Sequence, residues 1–345
     1  MTPKQKEVYE AVQKYGGIRA AAKHLGLVPS GVHATYYRAL RDIEQDKTFE
    51  SLGYDIEADT STSPEEAWNS HKTSFERVLA KSKKSRSHTI ERAGPFCIFH
   101  ATDEHIDDDK VPLSLLECDI NAAHDMGAIM CHGGDLLNNW PMAGRLAKQW
   151  AEQDCTLASA LLRAQHFIDI FKPNFWVDGN HEEMNPYLVN LFDEWLKPHD
   201  VARDYWRIDF TVNVEGGRDL RVAMSHKFQK GSSWFHKSHG HIREMLEGDD
   251  IDLYMDGHIH SDGVMDHTLP ERQHSSLLVS SAGYKVMDKY ATRISRGGIV
   301  PKLRGRAHWI ICDPFADYDA NLVMAFKDPV QAEAYLNSLQ NLRMF

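Results

Sequence analysis

The sequence predicts an α/β domain preceded by a small all-α module. Three observations predict it. Apolar residues recur only at helical spacing through residues 4–45. A polar, turn-prone stretch follows over residues 46–92. From residue 95, short apolar runs alternate with helical stretches, the pattern of strands and helices in succession. The boundaries that follow are 1–45, 46–92 and 93–345.

The first segment carries Val8, Tyr9, Val12 and Tyr15 at helical spacing, and Gly16-Gly17 stops it. A second helix is expected from Ile18 to Leu25, broken by Gly26. Pro29 can open a third at its first turn, with Val32, Tyr36, Ala39, Leu40 and Ile43 on one face. In the linker, a short helix is expected from Pro64 to Lys81, before a basic run of Lys81, Lys83, Lys84 and Arg86.

Expected strands beyond it are Phe96–Ala101, Ala128–Cys131, Phe175–Val177, Leu220–Met224, Leu253–Met255, Leu277–Val279 and His308–Cys312. Expected helices are Leu113–His124, Ala143–Phe171, Pro186–Trp195, Gly240–Leu246 and Pro329–Leu339.

With 345 residues, 42% apolar and 26% charged, the chain has the composition of a globular protein of about two domains. No apolar run approaches the 18 or so residues a membrane span needs, so no membrane partner is expected. Met1-Thr2-Pro3-Lys4-Gln5-Lys6-Glu7 lacks the apolar core of a secretory signal. The five cysteines, Cys97, Cys118, Cys131, Cys155 and Cys312, show no C-x-x-C spacing and fit reduced thiols in a cytoplasm. Net charge is −11 and unevenly placed. Residues 1–92 hold 15 Lys+Arg and 13 Asp+Glu, and residues 93–345 hold the other 24 and 37. Contact with nucleic acid must therefore come from local patches, or from metal ions that offset acidic ligands.

Five motifs each follow an expected strand: Asp103-Glu104-His105, Gly134-Asp135-Leu136-Leu137-Asn138, Gly179-Asn180-His181-Glu182, Ser225-His226 and Gly257-His258-Ile259-His260. The carboxyl ends of strands are where α/β sheets place their sites. Oxygen and imidazole donors without thiolate suit divalent metals. Asp103 and His105 are two residues apart, so on an extended segment both point to one side, and His258 and His260 share that spacing. The two oxygens of Asp135 could bridge two ions, while Asn180 adds an amide oxygen and His226 a nitrogen. Two ions about 3.5–4 Å apart lower the pKa of a bridging water and clamp a phosphoryl oxygen during in-line displacement. His181 follows a ligand directly. It could protonate a leaving oxygen or stabilise charge in the transition state. Asn138 either orients Asp103 or Asp135 from behind or caps a helix. His132 reads as structural.

The ordered set D-x-H, G-D-x-x-N, G-N-H-E, H, G-H-x-H resembles the calcineurin-like metallophosphoesterases over about residues 95–312. The resemblance implies a four-layer αββα sandwich. It also implies Asp103, His105, Asp135 and His260 on one metal, and Asp135, Asn180, His226 and His258 on the other. Ser225 stands where glycine is common before the histidine. Serine/threonine protein phosphatases of this superfamily carry Asp-Arg-Gly after the second motif. Asn138-Asn139-Trp140 stands there instead, which leaves the branch of DNA-repair nucleases and small phosphodiesterases.

Two further segments bear on substrate. Lys227 to Arg243 reads as a substrate loop, with Lys227, Lys230, His236 and Lys237 for phosphates and Trp234 for stacking. Arg293, Arg296, Lys302, Arg304 and Arg306 form a candidate phosphate-backbone track. In the N-terminal module, Ala22, Gly26 and Val32 have the spacing of a helix-turn-helix, with Leu25 and Leu27 filling the core beside the turn. The third helix would offer Ser30, His33, Tyr37, Arg38 and Arg41 to DNA.

The expectation is a metal-dependent phosphodiesterase, a DNA nuclease of phage or bacterial repair type, active in the cytoplasm (the host's, if phage-encoded). Mn²⁺ is the expected ion, and Fe, Ni or Zn also suit the donors. One alternative is a phosphatase or phosphodiesterase for a small molecule or nucleotide, with a regulatory N-terminal module. Another is a DNA-binding regulator with an inactive phosphoesterase domain.

Overall fold

The computed structural model describes residues 2–15, 17–29, 31–33, 35, 36, 39, 65, 68, 69, 72, 88–140, 155–184, 186–228, 238–285 and 306–342. The chain forms two compact units, Met1–Val78 and Leu79–Phe345.

In the first unit, α1 (Pro3–Tyr15) and α2 (Ile18–Leu25) bury Val8, Ala11, Val12, Ala21 and Ala22 against Val32. Gly26 ends α2 in the left-handed region (φ +64), with its N–H on the Ala22 carbonyl. That conformation favours glycine, and it forces the sharp turn that the spacing predicts. Leu25 packs against the cluster, but Leu27 is 41% exposed and does not fill the core expected of it. The left-handed residue at position 26 turns the chain outward before Leu27. His33 is helical and exposed; Ser30, Tyr37, Arg38 and Arg41 lie outside the described residues. Of the linker, Glu65, Trp68, Asn69 and Lys72 are helical.

The second unit is a mixed α/β sandwich of two six-stranded sheets flanked by helices. Its strands are β1 (His88–Arg92), β2 (Phe96–Ala101), β3 (Ile129–His132), β4 (Phe175–Val177), β5 (Ala202–Asp204), β6 (Arg207–Val214), β7 (Leu220–Ser225), β8 (Leu253–Asp256), β9 (Gly263–Leu269), β10 (His274–Ser280), β11 (His308–Cys312) and β12 (Val323–Phe326). The helices are α3 (Leu113–Asp125), α4 (Leu157–Phe171), α5 (Asn180–Glu183), α6 (Pro186–Leu196), α7 (His239–Glu247) and α8 (Pro329–Leu342). One sheet has the order β1-β6-β7-β8-β10-β9 and the other β12-β11-β2-β3-β4-β5.

Alternation of side chains sorts the layers. Phe96 and Ile98 of β2 face the other sheet, whereas Cys97 and Phe99 face helices, so the strand is buried throughout. The layer between the sheets holds Ile98, Ile129, Phe175, Phe210, Val222, Met255, Val279 and Ile310, with Phe175 stacked on Phe210 at 3.8 Å. A second layer packs α3, α4, α6 and α8 on the β2 sheet through Phe99, Phe171, Trp176, Trp309 and Leu336. A third sets Met245 of α7 against Tyr254 and Leu278 on the far face of the β8 sheet. Each large apolar side chain so buried contributes roughly 1.5–3 kcal/mol.

Several expectations are corrected. Thr156 is the N-cap of α4, its Oγ1 accepting from the Ser159 N–H at 3.2 Å, so a helix starts there rather than running unbroken from Ala143. Residues 141–154 lie outside the described residues. His88–Arg92, within the expected linker, pairs in parallel with β6. The strand β6 is absent from the sequence-based set, although Ile208, Phe210, Val212 and Val214 alternate inward.

Candidate metal centre

The ligand motifs leave β2, β3 and β4 of one sheet and β7 and β8 of the other at their carboxyl ends, and they converge. Three groups offer donor atoms within 4.8 Å of one another: Asp103, His105 and His260; His105, Asp135 and His181; Asp135, His226 and His258. Asp135 belongs to two of them.

At one end, His105 Nε2 and His260 Nε2 lie 3.2 Å apart with their rings stacked, and His260 Nε2 is 3.4 Å from Asp103 Oδ1. At the other, His226 Nε2 is 3.1 Å from both Asn180 Oδ1 and His258 Nδ1, and 3.3 Å from Asp135 Oδ2. His226 Nδ1 donates to the Gly133 carbonyl at 2.9 Å, which turns Nε2 toward Asp135 and the other donors.

The expected alternation of Asp103 with His105, and of His258 with His260, is not how these pairs converge. All four have left-handed backbones, at φ +54, +48, +67 and +50, and Asp135 is at +59. Extended geometry gives way to tight turns because the chain must aim consecutive donors at one point. Such conformations are strained for residues with a Cβ and cluster at functional sites. Close approach also dictates glycine. A Cβ on Gly179 would collide with the Asp135 carboxylate, and one on Gly257 with that of Asp103.

The residues present fit divalent ions. Asp103 Oδ1 is buried with no hydrogen-bond donor, although Oδ2 receives Thr102 Oγ1 at 2.7 Å and the His258 N–H at 2.8 Å. Burial, with His260 and His181 nearby, keeps His105 well below the ordinary imidazole range. Burial and the neighbouring His226 lower His258 to about 4. Both are thus neutral, as ligands must be. Burial opposes charge on Asp135 and His226, yet each holds the other ionised. Asp135 falls well below the carboxylate range and His226 rises to about 10.

His181 stands beside this cluster. Its N–H donates to Asp135 Oδ1 at 2.9 Å, its Nε2 is 3.8 Å from Asp135 Oδ2, and its Nδ1 donates to the Asn138 carbonyl. Asn138 therefore acts on His181. Its side-chain oxygen accepts from Lys285 Nζ at 2.9 Å and its N–H donates to Asp107. Lys285 is also 3.0 Å from Asp108.

Sequence reasoning missed three supports. Glu182 accepts backbone N–H groups of Asp135, Leu136 and Gly179 at 2.7–2.9 Å and ties the second motif to the third. Burial and the charges of Asp135 and Asp178 raise its pKa to about 8 against those donors. Lys285 and Asn139, which donates to the His181 carbonyl at 2.6 Å, are the others. The motif G-N-H-E contained Glu182, but nothing in its spacing showed which backbone it would serve. His132 is buried, 2.9 Å from Glu104 and stacked on Trp176.

Of the substrate-loop residues, Lys227 is half-buried directly after His226; Lys230, Trp234, His236 and Lys237 lie outside the described residues. So do Arg293, Arg296, Lys302 and Arg304 of the basic track. Arg306 is engaged with buried Asp119 at 2.5 Å and packs over Trp309, so it supports the fold and is not free for a phosphate backbone. No helix among the described residues is long and apolar enough to cross a membrane.

No protein-family model matches this chain, and no curated protein matches it. Among solved structures it is similar to a conserved uncharacterized protein of Streptococcus pneumoniae TIGR4, described as a predicted phosphoesterase. Identity is 10% over 69% of this chain and 100% of that one, with a TM-score of 0.29. It is also similar to GAP50, the anchor in the inner membrane complex of Plasmodium, at 11% identity over 71% and 95% of the two chains, with a TM-score of 0.33. Neither likeness is close enough to add to what the geometry shows.

Proposed function

We propose that the second unit is a calcineurin-like metallophosphoesterase that hydrolyses phosphodiesters, with DNA as its substrate. The observation that carries this reading is the convergence of seven O and N donors around a shared carboxylate, with a histidine beside them. Asp103, His105, Asp135 and His260 would hold one divalent ion, and Asp135, Asn180, His226 and His258 a second. Mn²⁺ is the ion of choice. Two such ions supply a nucleophilic water at neutral pH and positive charge for phosphoryl oxygens. The chain's own part is positional. Glu182 and the cross-loop hydrogen bonds fix the donors. Asn138 fixes the ring of His181, whose Nε2 is free to hold or deliver a proton at the leaving oxygen.

DNA as the substrate is supported by the turn between α2 and the helical residues after Pro29, which has the helix-turn-helix spacing and a left-handed glycine. The acidic balance of residues 93–345, 24 basic against 37 acidic groups, favours a second reading: a nucleotide or other small diester as substrate.

The test is hydrolysis by the full chain with Mn²⁺, on single- and double-stranded DNA beside bis-p-nitrophenyl phosphate and p-nitrophenyl phosphate. Diesters should be cleaved faster than the monoester, and a chelator should abolish both. A chain that cleaves the model diester but neither DNA form would favour the second reading. Hydrolysis of nothing, with metal bound, would overturn both.

A further inference from the structure

Next to the donor cluster, an open cavity of about 510 Å³ runs from Asn180 and His258 to Trp206, Lys227, Phe228 and Arg207. Pockets of roughly 300–1,000 Å³ hold one small-molecule group. Two proposed metal ligands form its inner wall, so its occupant must be attached to whatever those ligands hold.

Trp206 is the unusual residue there. Its φ is +86, in the left-handed region, where a bulky side chain is an outlier. The surroundings fix it. Its carbonyl accepts from the His226 N–H at 3.0 Å and from Ser225 Oγ at 2.9 Å. Its indole Nε1 donates to the Lys227 carbonyl at 3.1 Å. The one polar group of the indole is therefore satisfied within the protein, and what it offers the cavity is aromatic surface. Strain over-determined in this way marks a side chain whose place matters.

The remaining walls sort by charge. Arg207 is engaged with Asp209 at 2.8 Å and Glu244 at 2.7 Å, and its guanidinium lies over the Phe228 ring. That side carries one positive and two negative groups, and Glu244 lines the cavity with Arg207. Lys227 has no acidic partner among the described residues and lines the cavity with His258. The cavity thus joins the aromatic surface of Trp206 to the Lys227 ammonium beside the donor cluster. That combination suits a planar aromatic group carried on a phosphate.

We infer that this cavity is the subsite for the nucleoside attached to the scissile phosphate, with the base against Trp206 and Lys227 on a phosphate oxygen. The inference rests on the phosphodiesterase reading and narrows it to nucleotide esters. Base–aromatic stacking tolerates any base, since every base has a π-face.

The test compares thymidine 5′-(p-nitrophenyl phosphate) with methyl p-nitrophenyl phosphate, using the full chain with Mn²⁺. Leaving group and scissile bond are shared, and only the nucleoside differs. The wild type should prefer the thymidine ester by about tenfold or more in kcat/KM. Trp206→Leu should remove that preference, mainly through KM, lowering the thymidine ester far more than the methyl ester; Trp206→Phe should retain most of it. Thymidine 5′-monophosphate should also bind the wild type more tightly than inorganic phosphate by calorimetry. A wild type without ester preference overturns the subsite, even if Trp206→Leu fails to fold. Equal losses on both esters, with loss of bound metal, would show Trp206 only props His226. If neither ester is cleaved, the phosphodiesterase reading fails, and the calorimetry alone decides the cavity: thymidine 5′-monophosphate no tighter than phosphate overturns it.

Discussion

Asp135→Asn should separate the metal centre from the fold. Asp135 Oδ2 lies 3.3 Å from His226 Nε2, and Oδ1 accepts the His181 N–H at 2.9 Å. Asparagine keeps the size and the oxygen facing His181. It places an NH₂ where Oδ2 stood and removes the charge common to two donor groups. An amide nitrogen has no lone pair for a cation, so the bridge is broken: one proposed ion loses its ligand atom, and both lose the shared negative charge. Activity should fall by about 10³ or more, a barrier rise of about 4 kcal/mol. The metal-free fold should suffer less. With the carboxylate gone, buried His226 can shed its proton, so no orphan charge remains. What is lost is one charge-assisted bond, on the order of 1–3 kcal/mol. The assays are hydrolysis of bis-p-nitrophenyl phosphate, metal content after desalting, and denaturant unfolding of the metal-free protein. A variant that keeps more than a tenth of the activity, a rise under about 1.4 kcal/mol, refutes the shared-carboxylate argument. A variant destabilised by more than about 4 kcal/mol shows that Asp135 serves the fold first.

Three other outcomes are expected. Gly179→Ala should lower stability by about 1–3 kcal/mol and cut bound metal, because the new Cβ meets the Asp135 backbone and carboxylate together; melting and metal content read both. Lys285→Met should slow turnover of diesters with poor leaving groups by up to about 10²-fold and that of p-nitrophenyl esters less, since it frees Asn138, which holds His181; equal losses would count against a role through His181. Burial lowers His308 to about 4, whereas in the unfolded chain it protonates near pH 6.5, so stability should fall as pH drops through that window. The loss between about pH 7 and pH 5 is on the order of 2 kcal/mol, and unfolding of His308→Gln should show a correspondingly flatter profile.

How far the sequence could be read depends on where each residue's partners lie. The strands β2, β4 and β11 have the bounds that their apolar runs predict, because buried strands are continuous apolar runs. The strand β6 escaped because Arg207, Asp209, Thr211 and Asn213 interrupt its run on the other face. The strand β1 has one large aliphatic residue, Ile90. Its pairing comes from β6, residue for residue from His88 with Phe210 to Arg92 with Val214, and nothing local signals it. All seven proposed ligands were legible because each follows a strand within a few residues. Trp206 and Lys285 were not, since their roles depend on where distant segments return.

The ligand loops stabilise one another, which explains how so many strained residues persist side by side. Beyond the end of β2, Asp103 N–H donates to the Gly134 carbonyl, His105 to Asp135 and Ile106 to Leu136, so the pairing of β2 with β3 continues into the loops. Across to the other sheet, Gly257 N–H donates to the His226 carbonyl, and His258 N–H to the Asp103 carboxylate. A left-handed residue with a Cβ costs roughly 1–2 kcal/mol. Here Asp103, His105, Asp135 and His258 are each held by a hydrogen bond to or from a neighbouring loop. Carboxylate, amide and imidazole donors are thus brought to one point by the protein before any cation arrives. The strain is borne in folding, so ion binding does not have to order the loops, and a cation gains the relief of that crowding in full. The same coupling means that a defect in one loop displaces donors in the next. Positions such as Gly179 and Glu182, which ligate nothing, should therefore matter to metal binding almost as much as the ligands do.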